Sequence, residues 1–195
     1  MQIAPLLELK NKKIQNSELL ENINEEDLLY IIDLDGIEKD KPNLCHYQKL
    51  SKKYQLWIDN APRTLGDVVD AFLAGGERVT IRKTFYPQVN LENIREITEN
   101  KIYANIEMYK NTELYDDTFF TDVDGLVNFY DKETLEKELE KTDIVRKYSL
   151  KNKIHVFEGD IKNIEYWEKF NPEGFIVDLS KYKEFKQKWP LKEKQ

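Results

Sequence analysis

Cysteine is almost missing from this chain: Cys45 is the only one in 195 residues. An internal disulfide is therefore excluded, and a reducing, cytoplasmic setting is the default expectation. Histidine is nearly as scarce. His46 and His155 show no ligand spacing, and no two-histidine or cysteine pair exists, so no metal set is implied. Glycine-rich phosphate loops are absent as well. Without Gly-x-Gly-x-x-Gly or a Walker sequence, nucleotide phosphate sites of those kinds are not expected, and no cofactor is implied. No apolar run approaches membrane-spanning length, and the first residues lack a signal peptide's charged and apolar regions, so no membrane partner is expected. Positive charge is outweighed by negative. Lys and Arg number 30 against 37 Asp and Glu, a formal charge of −7. Basic residues gather only at Lys10-Asn11-Lys12-Lys13 and in the Lys-rich C-terminus, so most of the surface would repel nucleic acid.

What is present is the composition of a folded globule, 40% hydrophobic and 12% aromatic. No Pro/Gly/Ser linker divides it, which gives one domain over residues 1–190 and a Lys-rich tail at 191–195. Short apolar runs at 3–9, 29–34, 55–58, 78–81, 102–108, 118–123, 153–157 and 174–177 read as strands buried on both faces. Helical spacing lies between them. Leu65, Val68, Val69, Phe72 and Leu73 share one face before a Gly75-Gly76 stop, and Asp131 can cap a helix over 131–148. A further short helix fits 163–170, ended by Asn171-Pro172. Strand alternating with helix predicts a parallel sheet with right-handed crossovers. Eight such units fit a (βα)8 TIM barrel of class α/β, whereas six would fit an open doubly wound sheet. At roughly 24 residues per unit the barrel is compressed, with very short helices, most obviously after the fourth strand.

In such a barrel the working residues stand at the C-terminal strand ends. These are Glu8; Asp33 and Asp35; Asp59 and Asn60; Arg82 and Lys83; Glu107; Asp122 and Asp124; Glu158, Gly159 and Asp160; and Asp178 with Ser180. Clustered carboxylates raise one another's pKa, which lets one act as acid and another as base. The competing reading is helix capping, favoured for Asp59, Asp160 and Asp178. It is weaker for Glu8 and Glu107, because Glu is a poor N-cap and both lie inside apolar runs. A Mg²⁺ ion on Asp33 and Asp35 finds no further support, and Cys45 beside a helical turn reads as packing.

Taken in order, these segments resemble the HisA/HisF family, the phosphoribosyl isomerase and cyclase barrels of histidine biosynthesis. Ile3-Ala4-Pro5-Leu6-Leu7-Glu8-Leu9-Lys10 is similar to the family's opening strand, and Asp33-Leu34-Asp35-Gly36 with Lys41-Pro42-Asn43 resembles its second-strand motif. Asp59-Asn60-Ala61-Pro62-Arg63 through Ala74-Gly75-Gly76-Glu77-Arg78-Val79-Thr80-Ile81 follows the family's turn, helix and fourth strand. Thr121-Asp122-Val123-Asp124-Gly125 is similar to a contracted sixth-strand motif. The resemblance implies a barrel with carboxylate general acid and base at Glu8 and Glu107, both one methylene longer than the family's aspartates, and Asp122 assisting. It implies substrate contacts at Asp33, Asp35, Asn60, Arg82, Lys83, Asp124 and Gly159. The family's phosphate-binding glycine turns are replaced here by Asp59-Asn60-Ala61, Arg82-Lys83, Gly159-Asp160 and Asp178, which adds bulk and repulsion at an anion site.

The expectation is thus a divergent barrel isomerase or lyase acting on a small sugar-phosphate-like or carbonyl substrate, which can be anionic. Cofactor biosynthesis of the kind found in archaea is a setting for it. A non-catalytic binding or interaction protein on the same barrel is the alternative, and an intact histidine-pathway isomerase ranks below both. The oligomeric state is left open.

Overall fold

A computed structural model describes residues 1–82, 89–106 and 122–188. Its centre is a closed barrel of eight parallel strands. These are β1 (Gln2–Lys10), β3 (Leu28–Asp33), β4 (Gln55–Asp59), β5 (Gly76–Arg82), β6 (Lys101–Asn105), β7 (Gly125–Asn128), β8 (Ile154–Phe157) and β9 (Gly174–Asp178). Each pairs with the next in order, and β9 closes on β1 through the register Gln2↔Gly174 to Leu6↔Asp178. Gly174 is required at that seam, because a Cβ there would strike the Gln2 carbonyl oxygen and the His155 ring. The short β2 (Lys13–Ile14) folds back antiparallel on β1. This is the (βα)8 TIM barrel.

The apolar residues divide into two shells because strand side chains alternate between faces. Leu7, Leu9, Leu29, Ile31, Leu56, Ile58, Val79, Ile81, Ile102, Ala104, Leu126, Ile154, Val156, Phe175 and Val177 point outward into the layer shared with the helices. Ala4, Leu28, Tyr30, Trp57, Tyr103, Val127 and Ile176 point inward and fill the barrel. Aromatic rings dominate its middle layer: Trp57 meets Tyr103 at 4.1 Å, Tyr30 edge-on at 5.0 Å and His155 edge-on at 4.9 Å between centroids.

The outer ring comprises α1 (Leu34–Lys39), α2 (Leu44–Leu50), α3 (Leu65–Leu73), α4 (Leu91–Ile97), α5 (Lys132–Lys137), α6 (Leu139–Ser149), α7 (Ile164–Trp167) and α8 (Tyr182–Lys188). The expected α3 is started by a capping box between Thr64 and Asp67, and Gly75 follows it at φ 102°. The helix after the 76–82 strand is short, as the spacing implied. Three expectations need correction. The helix expected over 131–148 is broken at Glu138, whose φ of −115° and ψ of 91° end α5 and launch α6. The helix expected over 163–170 is an α turn flanked by 3₁₀ turns at Ile161–Asn163 and Glu168–Phe170. The first crossover, from β1 to β3, is the β2 hairpin and a 3₁₀ turn at Ser17–Asn22, with no α-helix.

Of the strand expected at 118–123, residues 118–121 lie outside the described residues. Residues 122–124 form a bend, and the strand is Gly125–Asn128. An apolar-acidic-glycine run marks a strand boundary without saying on which side the strand lies. Here Asp122-Val123-Asp124-Gly125 precedes the strand, whereas Asp33-Leu34-Asp35-Gly36 follows one.

Candidate functional site

Parallel strands place all their C-terminal ends on one rim, so the inward residues nearest those ends form the mouth. Alternation from the inner shell selects Glu8 after Ala4 and Leu6, Ile32 after Tyr30, and Asp59 after Trp57. In the same way it selects Arg82 after Thr80, Asn105 after Tyr103, Phe129 after Val127, and Phe157 after His155. Leu6, Ile32, Phe129 and Phe157 are partly buried and pack against the inner core, giving the mouth an apolar floor. Phe129 and Phe157 stack at 5.4 Å with 18° between ring planes.

Charge sits beside that floor. Glu8 is half-buried and its carboxylate has no hydrogen bond or ion pair among the described residues. Its register neighbour is Ile32, which in turn neighbours Asp59. Asp59 is fully buried and takes a bidentate contact from Arg82, Nε to Oδ1 at 3.0 Å and Nη2 to Oδ2 at 2.7 Å. The Tyr30 hydroxyl donates to Asp59 Oδ2 at 3.0 Å, and the Trp57 indole donates to Thr80 Oγ1 at 2.9 Å. Burial, then the Asp59 charge, pushes the Tyr30 hydroxyl pKa well up, so it stays protonated and donates. This polar cluster neutralises a buried carboxylate with a buried guanidinium, as a low-dielectric interior requires.

Other acids expected at the rim are occupied in the fold. Asp33 lies on the outward face and is fully buried. It accepts from the backbone N–H groups of Asp35 (3.1 Å), Gly36 (3.2 Å) and Asn43 (2.6 Å), from Asn43 Nδ2 (2.8 Å) and from the Tyr47 hydroxyl. It is the N-cap of α1 and the tie between β3 and α2. Asp35 accepts from Lys39 Nζ at 2.8 Å and Lys12 N at 2.7 Å; the Lys39 ammonium first, then the Lys12 N–H and the Asn43 amide, hold its carboxyl well below the usual carboxylate range. Glu158 receives the Trp167 indole at 2.7 Å and the Asp160 N–H at 2.8 Å, pinning α7. Asp160 and Asp178 cap the turns that follow them, as their residue type suggests, whereas Asp59 does not cap.

Of the remaining expected contacts, Asn60 is buried on the outward face, its backbone carbonyl pressed against Gly36, with Oδ1 lacking a hydrogen-bond partner among the described residues. Gly159 is exposed on the rim, and a Cβ there would meet nothing within 4 Å. Asp122 and Asp124 are at the N-terminal end of β7, the opposite end of the barrel from the mouth. Asp124 Oδ2 accepts from Ile102 N at 2.8 Å and Arg95 Nη2 at 2.5 Å, a link between strand and helix. Glu107 and Lys83 lie outside the described residues. Cys45 is exposed on α2, so it does not serve as packing. The structure therefore brings Glu8, Asp59 and Arg82 to the mouth, together with Asp178, two residues beyond the inward Ile176 and in register with Leu6. It adds Asn105, Phe129 and Phe157, which two-residue alternation from the inner aromatic layer could have found. Among the described residues no three His, Cys, Asp or Glu side chains are grouped to hold a metal ion, and no helix is long and apolar enough to cross a membrane.

Below the mouth, His155 is 1% exposed with both ring nitrogens unpartnered among the described residues. Burial, reinforced by Arg78, Lys153 and Lys101, lowers its pKa to about 3, so it is neutral in the fold. An unfolded histidine titrates near 6.5. As pH falls below that value the unfolded chain gains a proton that the native state refuses, and stability is lost until pH reaches the folded value. Between pH 7 and pH 5 the unfolding free energy should fall by about 2 kcal/mol. Chemical denaturation at the two pH values measures it, and His155→Phe should abolish most of the difference.

No family model matches this sequence, and no curated protein does. The reading of the site therefore rests on the mouth itself.

Proposed function

We propose that this barrel binds a small carbonyl or sugar-phosphate-like molecule in its mouth and moves a proton on it, as an isomerase or lyase. The observation that carries the reading is Glu8, a half-buried carboxylate that faces an apolar floor and has no partner among the described residues. A carboxylate positioned in this way, without a cation to quench it, suits a general base. The Asp59–Arg82 pair beside it supplies a fixed dipole whose guanidinium can orient an oxyanion. Glu107, two residues beyond the inward Asn105 in sequence, is the partner acid on this reading, and the HisA/HisF resemblance supports the same pair. The displacement of Asp122 and Asp124 to the other end of the barrel removes them from the proposed chemistry.

The test is proton exchange. Candidate carbonyl compounds and sugar phosphates incubated with the protein in D₂O should lose the ¹H signal α to the carbonyl. Glu8→Gln should slow that exchange roughly a hundredfold at unchanged melting temperature. Exchange at the wild-type rate in the variant would remove Glu8 from the mechanism. A second reading, a barrel that binds without catalysis, is favoured by the engagement of Asp33, Asp35, Asp59 and Glu158 in structural bonds. It predicts ligand-induced stabilisation without exchange for any bound compound.

A further inference from the structure

The short basic run of the sequence finds a use at the rim. The β1–β2 turn places Asn11 and Lys12 in consecutive left-handed conformations, φ 51° and 59°. That is the two-residue hairpin geometry usually served by Asn-Gly. Lysine at the second position is strained where glycine would not be, and the position is held by the Lys12 N–H donating to Asp35 Oδ2 at 2.7 Å. The turn leans toward α1, and the two enclose an open cavity of about 300 Å³ lined by Asn11, Lys12, Asp35, Lys39 and Lys41. Asp35 is matched there by Lys39 at 2.8 Å, and Lys39 also reaches Asn11 Oδ1 at 3.0 Å. The ammonium groups of Lys12 and Lys41 have no carboxylate partner among the described residues. Three lysines against one carboxylate leave this cavity positive on a chain whose formal charge is −7.

We propose that this cavity is an anion site for a phosphate group, free or carried by a small phosphomonoester, bound by the Lys12 and Lys41 ammonium groups with the Lys39–Asp35 pair as its floor. Phosphate supplies acceptor oxygens enough for both lysines, and charge-assisted hydrogen bonds of this kind are the stronger ones. The site is separate from the mouth and does not depend on Glu8. A glycine at position 12 would hold the same left-handed turn without the charge.

Calorimetric titration of the whole chain with inorganic phosphate and with glycerol 3-phosphate, at ionic strength fixed by chloride, tests it. One site with a Kd on the order of a millimolar is expected. Lys12→Gly and Lys41→Gln should each weaken it about tenfold. Lys12→Gly suits the left-handed turn and should melt no lower than the wild type, so loss of binding there is not loss of fold. Tighter binding of the ester identifies a phosphomonoester ligand, and equal affinities identify phosphate itself. Heat no different from that of chloride, or undiminished binding in both variants, overturns the proposal.

Discussion

Replacing Asp59 with alanine is expected to lower the unfolding free energy by about 3–5 kcal/mol, measured by urea denaturation at neutral pH. The physical cause is what is left behind. Arg82 is only 7% exposed, and two of its bonds go to the two Asp59 oxygens. Removing the carboxylate takes its bidentate charge partner from a buried guanidinium and leaves the Tyr30 hydroxyl without its 3.0 Å acceptor. A buried pair is stabilising relative to its broken half far more than relative to an apolar replacement of the same shape. The double change Asp59→Leu with Arg82→Met should therefore recover most of the loss. If Asp59→Ala alone cost less than about 1 kcal/mol, the pair would have to be solvated as a surface bridge is, and the closed picture of the mouth would be wrong.

Asp33→Ala should be comparably severe, about 3–5 kcal/mol, for a different reason. Among the described residues no cation pairs with Asp33; its partners are donors from α1, from Asn43 and from Tyr47, and all lose this acceptor at once, with Asn43 Nδ2 keeping only Asp35 Oδ2 at 3.2 Å. Burial, the larger cause of the raised Tyr47 hydroxyl pKa, persists in the variant, so the hydroxyl stays protonated and in need of an acceptor. Asp33→Asn keeps one acceptor oxygen but sets an amide N–H₂ against these donors, and should cost roughly half as much. The discriminating measurement is ligand binding in the folded fraction of Asp33→Asn. An undiminished affinity there fits an acid that builds the rim without touching what the rim binds.

These two aspartates show how far residue type alone can lead. Both end apolar strands, and both invite reading as mouth acids or helix caps. Asp33 does cap; Asp59 does not, because Asp33 follows the outward Ile31 and Asp59 follows the inward Trp57. In a strand buried on both faces, hydrophobicity is the same on the two sides, so the pattern records alternation without recording which face lies inside. Glu158 was legible as a strand-end acid, but its engagement with the Trp167 indole depends on a helix folding back over the barrel. The start of a strand at Gly125 has the same root, since a glycine-flanked acid marks a strand's start as readily as its finish.

The sequence by itself led to the architecture: short apolar runs with helical spacing between them point to the closed parallel barrel. It also determined that acids would collect near strand ends. Only the tertiary structure decided what those acids do. Whether a carboxylate is quenched, capped or left open depends on the groups that face it from neighbouring strands and helices. Arg82 meets Asp59 from the next strand, Asn43 at the start of α2 and Tyr47 within it meet Asp33, and among the described residues no side chain pairs with the Glu8 carboxylate. The local pattern carries no record of those pairings, because they are made by neighbouring strands pairing and by helices packing back on the barrel.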